Sequence, residues 1–173
     1  DPAADTVSGT AAPGSDVQVW ICDEWGCANR QETADGSGNW TASFSVPGEE
    51  DWEQDIRDIE LGTSGDAAQW DHDGDSTQIQ WRVPNPTFAA RPDQDGVEGW
   101  EWPLGAVVTL QIDDPDTPEE PDYTDTQMVE VAHWDPSQTH VEFNFQGLYA
   151  LEQGHVVTLF DSTTTKVHEV TSL

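Results

Sequence analysis

The sequence predicts an all-β chain of two tandem antiparallel β-sandwiches, over residues 1–92 and 93–173, and three observations predict it. Val7–Cys22, VSGTAAPGSDVQVWIC, is restated at Val97–Ile112, VEGWEWPLGAVVTLQI. Each copy reads V-x-G, a short run, then G-x-x-V-x-[VL]-x-I, so Gly14, Val17, Val19 and Ile21 fall in register with Gly105, Val108, Leu110 and Ile112. The offset from Val7 to Val97 is too long for a solenoid unit and suits two small domains of one kind. Apolar and polar residues also alternate in segment after segment, which is strand period. Finally, turn signals recur about every 8–12 residues, as in a sandwich. A third, fainter echo joins Phe145-Gln-Gly147 to GHVVTL at 154–159, which repeats GAVVTL in all but one letter.

Strands are expected in the first unit at 5–10, 16–22, 27–34, 39–46, 55–61, 77–83 and 87–91. Glycines 9 and 14, with Pro13 between them, supply the turn geometry after the first strand. Val17, Val19 and Ile21 then alternate with Gln18, Trp20 and Cys22, so one face is built to be buried. Trp40, Ala42, Phe44 and Val46 do the same against Thr41, Ser43 and Ser45; Ile79, Trp81 and Val83 do so against Gln78, Gln80 and Arg82. Gly62–Asp75 reads as a long polar loop, and such loops in compact domains are functional or mobile. Pro84 and Pro86 demote the strand after them to an edge. Expected strands of the second unit are 97–101, 106–112, 126–133, 139–146, 155–160 and 165–171, with another near 148–151. DDPDTPEEPD at 113–122 is a solvated acidic loop. Glu49–Glu60 is the sole helical candidate, and it lacks a wide apolar face.

Composition narrows the partners. The 173 residues carry 35 Asp and Glu against five Lys and Arg, a net charge of −30. Nucleic acid and anionic membrane are excluded as natural partners, and divalent cations are the natural counter-species. No run of 18 apolar residues exists, so membrane insertion is not expected. The chain starts at Asp1 without an initiator Met, as an excised segment or processed product would. A halophile's surface and a fibre in calcium-bearing water would both be this acidic and this poor in lysine. Cys22 and Cys27 bracket Asp-Glu-Trp-Gly between two strands. That placement predicts a disulfide and, with it, an extracellular or cell-surface location.

Two tracts carry a family resemblance: V-x-G-T-A-x-P-G-x-x-V-x-V at 7–19 and A-D-G-S-G-N-W-T at 34–41. Val7–Val46 resembles the bacterial immunoglobulin-like repeats strung in tandem along large secreted or surface-anchored proteins. GWEWPLG at 99–105 and GHVVTL at 154–159 look like the long repeated modules of large bacterial surface proteins. The resemblance implies two tandem immunoglobulin-like sandwiches that serve as stalk, adhesin or fibre, without catalysis. Copies of the chain, or neighbouring repeats, would then join end to end. The Cys22–Cys27 hairpin and the 62–75 loop depart from the pattern. Asn39-Trp-Thr41 is a formal glycosylation sequon that coincides with the family's own turn-and-strand motif.

Asp71-His-Asp73-Gly-Asp75-Ser-Thr77 is the sharpest local signal for chemistry. Alternate acids in a glycine-containing loop can converge on one hard cation, here Ca²⁺, with Thr77 as a further oxygen ligand. It is no EF-hand, since Gly falls at the fourth loop position and Arg82 at the twelfth. Asp93 and Asp95, at the expected junction, form a second candidate. Nine tryptophans are many for so small a core. Trp40 and Trp81 sit on the apolar phase of their strands. Trp20, Trp25, Trp100 and Trp102 do not, and exposed indoles stack on sugar rings, so a carbohydrate-binding module holding a surface polysaccharide through Trp25, Trp100 and Trp102 is the alternative function. The five histidines are scattered, and no H-E-x-x-H, G-x-S-x-G or phosphate loop occurs.

Overall fold

The computed structural model describes residues 1–172 and divides into two compact units, Asp1–Val83 and Pro84–Leu173. Unit 1 contains β1 (Thr6–Thr10), β2 (Asp16–Asp23), β3 (Gly26–Thr33), β4 (Asn39–Ser43), β5 (Ser64–Trp70) and β6 (Ser76–Arg82). These strands form a two-stranded sheet, β1-β4, and a four-stranded sheet, β3-β2-β5-β6, with every pairing antiparallel. Both sheets contribute to one core, in which Val17, Val19 and Ile21 of β2 meet Trp40, Ala42 and Phe44. Unit 2 contains β7 (Thr87–Arg91), β8 (Gly96–Trp100), β9 (Val107–Asp113), β10 (Tyr123–Met128), β11 (Glu130–Val131), β12 (Thr139–Asn144), β13 (Val156–Phe160) and β14 (Thr165–Glu169). Its sheets run β11-β12-β8-β7 and β10-β9-β13-β14, again antiparallel, around Val108, Leu110, Phe143, Phe145 and Leu159. The chain is thus all-β, with two sheet-rich units in tandem.

The sequence echo is a single structural device used three times. Gly14, Gly105 and Gly154 take φ of 76°, 77° and 95°, a left-handed conformation that favours glycine. Each donates its N–H to the carbonyl of a buried apolar residue: Ala34 at 2.9 Å, Val129 at 3.0 Å and Val170 at 2.9 Å. The same three residues donate back to Ser15, Ala106 and His155. A strand then leaves the turn as β2, β9 or β13, and its alternate side chains enter the core.

The glycine of V-x-G also acquires a reason. A Cβ on Gly9 would stand 2.6 Å from Trp40 Cζ2, and one on Gly99 would stand 2.9 Å from Trp102 Nε1. In each unit a glycine on an early strand makes room for an indole, and any larger residue would displace it.

Five expectations fail. Residues 55–61 join no ladder; Ile59 is buried there, and the backbone bonds instead to Asp5 and Phe44. The 62–75 segment, expected as loop, contains β5, which sits between β2 and β6. The boundary lies before 92/93, because β7 pairs with β8 and so belongs to unit 2. The expected strand 126–133 divides at Val129, where the chain leaves the β9 sheet as β10 ends and joins β12 as β11. Residues 148–151 form no strand, although Leu151 is buried. Among the described residues no helix is long and apolar enough to cross a membrane.

Candidate functional site

The β5–β6 hairpin carries the cation candidate. Its turn closes through Asp71 N–H to Asp75 C=O at 2.9 Å, with Gly74 at φ 97°. Asp71 Oδ1 accepts the N–H of Asp75 at 3.0 Å and of Asp73 at 3.3 Å, so the loop is folded about one carboxylate. Bonding to the Asp73 side chain, then to these backbone donors, holds Asp71 below the usual carboxylate range. Asp71, Asp73 and Asp75 each offer a carboxylate oxygen within 4.8 Å of the others, all exposed. Three anionic oxygens so close suit a hard divalent ion. Thr77 lies at the start of β6, opposite Gln69.

The second candidate comes out differently. Asp95 Oδ1 accepts Leu151 N–H at 3.1 Å, and its carbonyl accepts Phe145 N–H, so Asp95 fastens the 145–151 segment to β8. Asp93 lies in a short 3-10 turn, and the two do not belong to any group of three clustered ligands among the described residues.

Cys22 and Cys27, opposite each other on β2 and β3, form a disulfide with S–S 2.06 Å. The turn it closes leaves Trp25 81% exposed, with Asp23 Oδ1 accepting the Trp25 and Gly26 N–H groups. Trp102 requires a correction. It is 1% exposed, and its Nε1–H donates to Thr87 C=O at 3.1 Å. It fills the space that Gly99 leaves and cannot stack on a ligand. Trp100 is half-buried and lies 6.0 Å from the His140 ring, which Trp134 approaches from 4.8 Å. Trp20 and Trp70 meet edge to face at 78°, not as the coplanar pair a sugar ring would prefer.

Sequence reasoning missed Arg30. It is 2% exposed and donates Nε–H to Ser43 C=O at 2.8 Å, Nη1–H to Asn29 C=O at 2.6 Å and Nη2–H to the carbonyls of Val46 and Asp55 at 2.7 and 2.9 Å. A cleft of about 420 Å³ beside it is walled by Glu32, Glu49, Glu50 and Glu53. Glu53 is itself buried and accepts the N–H groups of Gln31 and Glu50. The signal was available: Arg30 occupies the same strand phase as Ala28 and is one of only five basic residues.

Desolvation, then the neighbouring Glu53 carboxylate, pushes Glu32 above the usual carboxylate range, against the pull of Arg30. A folded pKa above the unfolded one means that the stability present at low pH is lost as pH rises through the folded value. Glu32→Gln is therefore expected to raise the melting temperature of unit 1 at neutral pH, with the gain vanishing below the carboxylate range. A gain that persists undiminished in acid would show that charge is not its cause.

The 113–122 segment, expected as plain solvated loop, is organised by its own acids. Asp122 accepts Asp114 N–H and Thr117 Oγ1–H, both at 2.7 Å, and is held below the usual range by those bonds.

No family model matches the chain, and no curated protein matches it. Among solved structures it is similar to one described as a tetra-tandem repeat in the extending region of a large adhesion protein. The match has 15% identity and a TM-score of 0.32. It covers 98% of this chain and 46% of that one, so the chain spans less than half of its structural neighbour. A superposition this loose transfers neither topology nor function.

Proposed function

We propose that the chain is a non-catalytic structural or adhesive repeat unit of an extracellular bacterial array, built as two immunoglobulin-like sandwiches and joined to copies of itself. The observation that supports it most directly is the turn device at Gly14, Gly105 and Gly154, which recurs with the same backbone bonds in both units. A chain that repeats its own building plan is organised as an array. The Cys22–Cys27 bridge suits an oxidising compartment. A net charge of −30 keeps such units soluble and apart wherever they are not built to meet. Negative-stain microscopy of the native material tests the proposal: filaments or chains of particles are expected, and isolated monomers at high concentration would defeat it.

The finer part of the proposal is calcium. An ion gathered by Asp71, Asp73 and Asp75, with Thr77 and water completing its shell, would relieve a dense cluster of negative charge. Binding to the folded state alone stabilises by RT ln(1 + [L]/Kd), so ~100-fold excess over Kd contributes ~2.7 kcal/mol. Millimolar affinity is expected, because the loop lacks a bidentate Glu. Melting unit 1 in EDTA, in millimolar Ca²⁺ and in Na⁺ of equal ionic strength should show a gain with Ca²⁺ alone, abolished by Asp73→Ala. A gain that survives Asp73→Ala places the ion elsewhere, and a gain reproduced by Na⁺ is screening.

A further inference from the structure

The four-stranded sheet of unit 1 is wider than the layer that covers it. Across one row of its inward face stand Arg30 of β3, Val19 of β2, Ala67 of β5 and Ile79 of β6, neighbour opposite neighbour. Their exposures are 2%, 0%, 5% and 66%. Burial ends at the last strand because the opposing sheet has only β1 and β4, and β4 lies over the β3 side. Trp81 shields the next row by lying over Gly65. Ile79 is left as a β-branched apolar side chain on the core face of an open edge.

Apart from Arg82 at its end, that edge carries none of the usual protections. Exposed edge strands are blunted by inward charges, lysine, proline or extreme shortness. The β14 edge has Lys166 and the β10 edge has Asp125; β7 is flanked by Pro86 and Pro92, and β11 has two residues. β6, Ser76-Thr-Gln-Ile-Gln-Trp-Arg82, is seven residues long without proline, lysine or any acid. In a chain of net charge −30, an acid-free strand is where two copies can approach without stacking carboxylate on carboxylate.

We infer that β6 pairs antiparallel with β6 of a second copy, centred on Ile79, joining two four-stranded sheets into one of eight. The inference rests on the reading of the chain as a self-associating unit, and it names the surface. The strand is self-complementary about its centre. Ile79 meets Ile79 of the other copy, Gln78 meets Gln80, and Thr77 meets Trp81, so apolar side chains share one face and amides the other. Charge selects the direction. A parallel pair would set the two Asp71–Asp75 turns side by side. The antiparallel pair puts them at opposite ends, with the two Asp75 residues ~26 Å apart at ~3.3 Å per residue and well beyond the ~8–10 Å screening length.

The test uses the full chain and needs no ligand. Sedimentation velocity should find a concentration-dependent dimer. Ile79→Lys, which alters an exposed side chain and leaves the fold intact, should weaken that dimer at least about tenfold. Ile79→Cys under mild oxidation should give a covalent dimer, because the paired residues stand directly opposite. Thr77→Cys should not, since its twin lies four positions away. Dimerisation unaffected by Ile79→Lys would overturn the β6 interface and leave self-association standing. Loss of dimer in Ile79→Lys without cross-linking of Ile79→Cys would overturn the β6–β6 register, another segment of the second copy being seated there. A wild-type chain that stays monomeric at millimolar concentration would overturn both the interface and the self-associating unit.

Discussion

Arg30→Met is expected to destabilise unit 1 by about 3 kcal/mol or more, leaving unit 2 untouched. The methionine replaces most of the apolar stem, so the loss isolates the guanidinium. That group satisfies carbonyls from Asn29, Ser43, Val46 and Asp55 and lies 4.9 Å from the Phe44 ring centroid. Without it, carbonyls enclosed between β3, β4 and the 46–55 segment lose their donor, and each unsatisfied buried group costs ~1–3 kcal/mol. Glu53, buried beside them, also loses the positive charge of Arg30. Desolvation lowers the Arg30 pKa and Glu53, Glu32 and Asp55 offset it only in part, but a guanidinium starts so high that it stays charged. Arg30→Lys should recover only part of the loss, because one ammonium cannot present the planar fork that reaches three chain segments. Calorimetry of the two units reads this directly. An Arg30→Met chain whose unit 1 melts with the wild type would show that water satisfies those carbonyls equally well.

Legibility in the sequence followed side-chain contrast. β2, β9 and β13 were visible because β-branched residues mark their buried phase with polar residues between, and their turn glycines stand in register. β5 was hidden. Its core phase reads Gly65, Ala67 and Gln69, small or polar residues that carry no periodic signal. They are small for a structural reason, since Trp81 occupies the space above Gly65, and that packing appears only once the strands are paired. Residues 55–61 erred the opposite way: a strand was expected, yet Ile59 is buried while Ile56 is exposed, and the segment is held by Asp5 and Phe44. The acid trio at 71, 73 and 75 was readable because local spacing alone brings it together. The open edge at Ile79 was not, because exposure there depends on the covering sheet having two strands where its partner has four.

Removing Asp1–Ser8 is expected to unfold unit 1 while unit 2 keeps its transition. In the structure the segment is engaged at home. Three of the five β1–β4 pairs, Thr6↔Ser43, Val7↔Ala42 and Ser8↔Thr41, would go with it. Asp5 would go too, and it ties two segments at once: its carbonyl accepts Phe44 N–H and its Oδ1 accepts Ile59 N–H, each at 2.8 Å. Val7 packs against the core from the same strand. Since β1 is half of the covering sheet, its loss exposes the inner face that Val17, Val19 and Ile21 present. A unit of this size has ~4–12 kcal/mol of stability in all, and losing ~4 kcal/mol or more removes about a third of it at the high end and all of it at the low end. Calorimetry of the truncated chain should therefore show one transition, at the temperature of unit 2. The β6 edge would unfold with the rest of unit 1, so self-association should fall in the same sample. Two unchanged transitions, with association intact, would show that β1 is dispensable and that the two-stranded layer is not what holds unit 1 together.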